Sequence, residues 1–185
     1  MPRCFIAFPA AAEAKKEIKR VQEEIKRHDL KAPIKFSASD DVHITVEFLG
    51  DLDKEKIREV ESILARVCVN YSALEFALEH FDAYPDFTNP KVLVVGIKDE
   101  TGLGLALQSE IHDELDKLGL IINHNRSWQP HLTVARVKAE WDRAGHYRKL
   151  PIEQISWRVD KVILFESKLE PDGPVYFILS EYQLK

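Results

Sequence analysis

The sequence predicts an α+β fold: two pseudo-symmetric lobes of mostly antiparallel sheet, with helices packed outside and a pair of strands lining a central groove. Three observations lead there. Helical and strand periodicities interleave early in the chain, and a run of strands closes it. Nearly the same short strand occurs twice, as His43-Ile44-Thr45-Val46 and His131-Leu132-Thr133-Val134, each after a helix and a loop. No linker divides the chain, so residues 1–185 are expected to form a single two-lobed domain.

Taken in order, Arg3 to Phe8 reads as a buried first strand closed by Pro9. From about Ala11 to His28, apolar residues recur at Ala14, Ile18, Val21 and Ile25 with charges between them, which is an amphipathic helix with one core face. Pro33 to Ser37 is a short strand, and Ser39-Asp40-Asp41 punctuates the chain before a strand from His43 to Leu49 that Gly50 ends. Asp53 caps a second helix, to about Val69, whose buried stripe is Ile57, Val60, Ile63, Leu64 and Val67. Strands follow at about Leu74 to Phe81 and Lys91 to Ile97, joined by a loop, Ala83 to Pro90, in which Tyr84 to Phe87 offers rings that could stack on a base but reads first as a structural turn. A third helix spans Thr101 to Leu118, with Leu103, Leu105, Leu107, Ile111, Leu115 and Leu118 as its apolar set and Gly119 as its stop. His124 to Pro130 is a polar approach to the strand His131 to Val137, and a short helical segment is expected around Ala139 to Gly145. Strands at Glu153 to Trp157, Lys161 to Glu166 and Val175 to Tyr182 complete the chain, the last two joined by the turn Pro171 to Pro174.

Composition narrows the function. A chain of 185 residues with net charge −5 is a poor general binder of long duplex, whose affinity comes from neutralising many phosphates, although a local cluster can still grip one phosphate. No apolar run is long enough to span a bilayer, and no signal-type segment opens the chain, so no membrane partner and a cytoplasmic location are expected. Cys4 and Cys68 form neither a metal spacing nor a disulfide framework, and Cys4 reads as a small buried residue.

On a strand the side chains alternate, so His43 and Thr45 share one face while Ile44, Val46 and Phe48 take the other; His131 and Thr133 likewise oppose Leu132 and Val134. If the strands face each other, two imidazoles and two hydroxyls converge. Breaking a phosphodiester without a metal needs a base for the nucleophile and an acid for the leaving oxygen, and histidine suits both roles. In-line displacement asks the two to flank phosphorus, while the threonine hydroxyls donate to its non-bridging oxygens. A single His-x-Thr carries no signal; the doubling does. A metal site built on Asp40, Asp41 and His43 lacks matching carboxylates near His131 and any standard zinc spacing, so no cofactor is expected. His28, His80, His112, His124 and His146 read as surface or ordinary structural residues, with His124 and His146 placed near the cleft but given no role. Arg136 adds positive charge near the second motif, but strict alternation turns it away from His131.

The whole chain resembles the two-histidine (2H) phosphoesterase superfamily, and within it the LigT-like RNA 2′,3′-cyclic phosphodiesterases, also called 2′-5′ RNA ligases. The family pattern His-x-Thr-x-x-Phe-Leu-Gly appears as His43 to Gly50, and the pattern aromatic-x-Pro-His-x-Thr-x-Ala-Arg appears as Trp128 to Arg136. Arg3 to Ala7, Pro90 to Gly96 and Ser167 to Tyr176 match further family segments. Two departures bear on substrate contacts: Phe36 stands where members often carry tryptophan, and Gln129 where a basic or hydroxyl residue often precedes Pro-His. The resemblance implies metal-free hydrolysis of a terminal 2′,3′-cyclic phosphate to a 2′-phosphate, and joining of RNA ends by the reverse type of transfer. It implies His43 as acid and His131 as base, roles that pseudo-symmetry would allow to be exchanged, with Thr45, Thr133 and Arg136 on the substrate. The implied partners are RNA ends or small cyclic nucleotides, met by a monomer. The rivals are a non-catalytic RNA-binding module, disfavoured because the chain is acidic and lacks an aromatic-basic sheet signature, and a 2H enzyme acting on another phosphodiester.

Overall fold

The computed structural model describes residues 1–121, 127–171 and 173–185. The start of the approach to the second motif, His124 to Arg126, and the Asp172 position of the last turn lie outside the described residues. Nine strands form one sheet among the described residues: β1 Arg3–Pro9, β2 Ile34–Phe36, β3 His43–Asp51, β4 Leu74–Tyr84, β5 Val92–Asp99, β6 His131–Val137, β7 Ser156–Val159, β8 Lys161–Glu170 and β9 Gly173–Gln183. The order is β7-β4-β5-β6-β3-β1-β8-β9, with β2 added against β6. Every pairing is antiparallel. Helices α1 Ala12–His28, α2 Lys54–Cys68 and α3 Leu103–Lys117 cover one face. The other face carries His43 and His131 beside the rings of Phe5, Phe165, Tyr84 and Tyr176.

The sheet has an internal two-fold pattern. Strand, helix and histidine strand recur as β1-α1-β3 and β5-α3-β6. In the first repeat Pro9 sits opposite His43 and Ala7 opposite Thr45; in the second, Gly96 sits opposite His131 and Val94 opposite Thr133. The halves meet where β3 pairs with β6, and that seam holds a single backbone pair, Ile44 opposite Leu132.

The helices form for the reasons expected. Ala14, Ile18, Val21 and Ile25 of α1 are fully buried, and the Asp53 carboxylate accepts the Lys56 N–H at 2.9 Å to cap α2. Burial pushes the Cys4 thiol up to about 11 and the Cys68 thiol up to about 12, so both are inert core residues.

Several local expectations are corrected. Gly50 does not end its strand: its positive φ of 68° carries β3 on to Asp51. β4 runs on to Tyr84, so that residue belongs to the sheet and not to the loop. The core face of α3 is rotated by about one residue: Leu105 and Leu118 are exposed, whereas Gly104 and Gln108 are buried with Leu107, Ile111 and Leu115. The helical segment near Ala139 is a 3₁₀ turn at Ala144–Tyr147, and the first tail strand lies at Ser156–Val159.

Gly104 explains why α3 approaches the sheet so closely. A Cβ there would come within 2.7 Å of two ring carbons of Phe76, a fully buried ring packed against Phe8 and Trp157. Gly104→Ala would gain about 1 kcal/mol of helix propensity. It would lose about 1–3 kcal/mol to overpacking. The expected outcome is a net destabilisation and a lower melting temperature, read by calorimetry; a melting temperature above that of the parent would show that Phe76 yields freely.

Candidate active site

Each motif histidine opens its strand and is tied to the backbone just before it. His43 Nδ1 lies 2.8 Å from the Asp41 carbonyl, and His131 Nδ1 lies 2.7 Å from the Gln129 carbonyl. A carbonyl can only accept, so each Nδ1 carries the proton and each Nε2 presents its lone pair in the neutral ring. The register through Ile44 and Leu132 places His43 across from Thr133 and Thr45 across from His131. The two histidines are then diagonal neighbours, roughly 7–8 Å apart in a regular ladder and somewhat closer at Cβ. That spacing leaves room for one tetrahedral group between them. Among the described residues, the Thr45 and Thr133 hydroxyls make no hydrogen bond, and neither oxygen is buried.

Matching bulges follow the two motifs. Between Ile6 and Ala7 the β1–β3 register skips Val46, and between Leu93 and Val94 the β5–β6 register skips Val134. A bulge adds one residue to one strand and resets its alternation. Val46 and Glu47 therefore both face the helices, as do Val134 and Ala135. Phe48 and Arg136 turn back to the histidine face, which overturns strict alternation for both. Phe48 is 57 % exposed, with its ring 6.1 Å from that of Phe5. Arg136 is exposed and near enough to Tyr176 for its charge to act on that phenol.

Polar side chains from the helices hold both bulges. The buried Gln22 amide on α1 donates to the Ser37 carbonyl at 2.8 Å and to the Val134 carbonyl at 3.0 Å. His112 on α3 bonds Glu47 at 2.8 Å, so this histidine is structural, as read from the sequence. The Trp128 indole, from the approach to the second motif, donates to the Thr45 carbonyl at 2.9 Å across the seam.

The two imidazoles differ in surroundings. His43 sits against Phe5 at 4.8 Å, Tyr176 at 5.3 Å and Phe165 at 6.1 Å between ring centres. Burial holds its pKa below the ordinary histidine value; the Asp41 carbonyl and carboxylate pull the other way, and the charges of His131 and Lys15 add to the lowering. Burial also raises the Tyr176 phenol, and the Arg136 guanidinium holds part of that rise back. His131 meets Tyr84 edge-on at 5.2 Å and 86°, nearly the geometry of Tyr176 on His43 at 85°. Sequence reasoning missed both tyrosines as neighbours of the histidines, since nothing local couples them. His146 lies elsewhere: it lines a cavity of about 390 Å³ with Glu24, His28 and Arg143. Among the described residues no three His, Cys, Asp or Glu side chains gather as a metal-ligand set, and no helix is long and apolar enough to cross a membrane.

Known proteins are similar to this chain in sequence and in fold. The family model described as LigT like phosphoesterase matches residues 8–94, which include the first motif. The chain is 27 % identical to an RNA 2′,3′-cyclic phosphodiesterase of Thermotoga maritima, covering 99 % of this chain and 96 % of that protein. It is 28 % identical to the enzyme of the same name from Methanothermobacter thermautotrophicus, covering 98 % of each. A crystal structure from Thermus thermophilus superposes with a TM-score of 0.85 at 22 % identity, covering 98 % of this chain and 97 % of that one. E. coli LigT in complex with 3′-AMP superposes at 0.79 and 20 % identity, covering 100 % and 98 %.

The aromatic wall makes a pH prediction. Because the folded pKa of His43 is depressed, the unfolded chain binds more protons just below the ordinary histidine value, and this residue's contribution to stability rises with pH through that window and is lost as pH falls. An NMR titration should place His43 below the ordinary value, and Phe165→Ala, which admits water, should move it upward. A midpoint unmoved by Phe165→Ala would remove burial as the cause.

Proposed function

We propose that this chain, which is similar to the LigT-like phosphoesterases and offers two imidazoles on one sheet face, hydrolyses terminal 2′,3′-cyclic phosphates of RNA to 2′-phosphates without a metal. The observation that carries this reading is the matched pair of Nδ1–carbonyl bonds, which present two Nε2 atoms to the same space. His131 takes a proton from water as the oxygen attacks phosphorus; the bond to the 3′ oxygen breaks, and His43 gives that oxygen its proton. The aromatic rings around His43 keep bulk water from the proton that must reach the leaving group, and a depressed pKa makes His43 the stronger donor. The anionic substrate draws the proton onto His43 when it binds.

Thr45 and Thr133 donate to the non-bridging oxygens, and Arg136, turned to this face by its bulge, supplies the cation. With the 5′-hydroxyl of a second RNA end in place of water, the same step joins the two ends through a 2′-5′ linkage: His131 takes the hydroxyl proton, the bond to the 3′ oxygen breaks, and His43 protonates that oxygen. The proposal extends to residues 1–185 acting as one two-lobed domain, as a monomer in the cytoplasm, where thiols such as Cys4 and Cys68 stay reduced.

The deciding assay supplies a short RNA ending in 2′,3′-cyclic phosphate after chelator treatment and identifies the terminal product. Conversion to a 2′-phosphate is expected, with His43→Ala and His131→Ala each slowing it about 10²–10⁴-fold. Thr45→Ala should cost less, since it removes one donor of several. No turnover with intact RNA binding would move the protein to the binding-module reading or to a different phosphodiester.

The rate should follow a bell in pH that belongs to the histidine pair. Because kcat/KM reports the free protein, its His43 limb should lie below the ordinary histidine value and move to higher pH in kcat, when the anion is bound. Phe165→Ala should shift that limb upward, and a bell that does not move would take His43 out of the titrating pair.

A further inference from the structure

The histidine face carries one charge pairing that a sheet ordinarily avoids. Lys35, in the middle of β2, sits directly opposite Arg136 of β6. Directly opposed residues on neighbouring strands share a face, so Lys35 joins Arg136 on the histidine side, while Ile34 and Phe36 pack against the core on the helix side. Two like charges facing each other across a ladder destabilise it. Both side chains are exposed, and among the described residues neither forms a hydrogen bond or an ion pair. The pair lies close to the chemistry. The Arg136 charge acts on the Tyr176 phenol, and the Tyr176 ring meets His43 at 5.3 Å. The Lys35 ammonium reaches the start of the same strand: a Cβ on Gly173 would stand 3.5 Å from its Nζ.

The opposite flank of the site has the other sign. Gly96 sits across from His131, and a Cβ on it would stand 3.6 Å from the Glu79 carboxylate. Asp82 lies across from Val94, which lies in turn across from Thr133. His80 sits between the two carboxylates, 3.5 Å from Glu79 and 3.7 Å from Asp82. A polyanion seated between the motif histidines is therefore repelled on the β4 side and attracted on the β2 side.

We propose that Lys35 holds the phosphodiester that joins the terminal nucleotide to its neighbour, so that the RNA strand leaves the site over β2. This rests on the phosphodiesterase reading above and deepens it, because it makes the substrate an RNA end and not a free cyclic nucleotide. The reacting phosphate lies between the imidazoles, with Arg136 as its cation. The next phosphate is one nucleotide further along the strand, and Lys35 is the next cation on the neighbouring strand. Two phosphates neutralise the two opposed charges, so the complex relieves a repulsion that the free protein carries. A phosphate contact reads no base, and Lys35 fixes where the strand runs without selecting its sequence.

The test measures binding independently of chemistry. Calorimetric titration compares adenosine 2′-phosphate with a dinucleotide that carries the same terminal 2′-phosphate and one internucleotide phosphate, on the parent protein, Lys35→Gln and Lys35→Arg. The parent should bind the dinucleotide more tightly, and Lys35→Gln should cut that preference by about 2- to 5-fold, the contribution of one exposed charge contact. The fall of log affinity with log salt should become shallower by about 0.7 for the dinucleotide, the value for one phosphate of a single strand. Lys35→Arg, which keeps the charge, should restore both. Equal losses on the two ligands would make Lys35 part of the general field of the site; an unchanged preference in Lys35→Gln, or a parent with no preference, would send the strand elsewhere. Each of these results overturns the proposal. Turnover of the dinucleotide ending in 2′,3′-cyclic phosphate, measured alongside, reports separately on the phosphodiesterase reading. If the parent shows no turnover yet the binding preference falls in Lys35→Gln, the phosphate subsite stands and the assigned reaction fails.

Discussion

The site depends on a seam that backbone hydrogen bonding alone would hold poorly. The two halves of the sheet touch at one residue pair, Ile44 with Leu132, and the histidines open the strands on either side of it. What keeps the seam closed is a set of side chains that cross it. Trp128 of the second half bonds the Thr45 carbonyl of the first; Gln22 of α1 bonds the Val134 carbonyl; His112 of α3 bonds Glu47. Each of these two helices braces the histidine strand of the opposite half. A hydrogen bond contributes about 1 kcal/mol on average, but a buried carbonyl left without a donor costs more, and the Gln22 amide supplies the donor at Val134 as well as the bracing.

The same braces stabilise the two bulges, and the bulges decide what the site contains. Without them Phe48 and Arg136 would point into the helix layer, where an unpaired guanidinium could not be buried cheaply. With them, each motif gains a side chain on the histidine face. The skeleton of the site is symmetric and its chemistry is not. His43 is walled by Phe5, Phe165 and Tyr176, and its pKa is depressed by burial, while β6 carries a cation toward its end. A reaction with one acid and one base needs that difference between two otherwise matched imidazoles.

Much of this was legible in the residues. The helices at Ala12–His28 and Lys54–Cys68 follow directly from apolar spacing and, for the second, the Asp53 cap. The strand His131–Val137 has the bounds that β-branched alternation predicts. The pairing of His43 with Thr45 and of His131 with Thr133 on one face also follows from period-two alternation, because no bulge interrupts either triplet. The parity of Phe48 and Arg136 was misread for the converse reason. A bulge changes no residue type and leaves no periodic mark, and it appears only when the partner strand is in place. Leu105 and Gly104 of α3 were exchanged in burial because the helix is seated by the Phe76 ring, which belongs to a distant strand.

The sequence by itself determined the elements, the α+β class and the two histidine-threonine pairs, since propensity, capping and side-chain alternation act over a few residues and can be read along the chain. Only the tertiary structure decided that the two pairs share one face, that Phe5, Phe165 and Tyr176 wall His43 while Tyr84 meets His131, and that Phe48 and Arg136 join them. Those outcomes depend on strand register and on side chains such as Gln22, Trp128 and Tyr176, whose partners lie far away in the sequence. Register is a long-range property: it is set by which strands pair and where, and no local pattern encodes it.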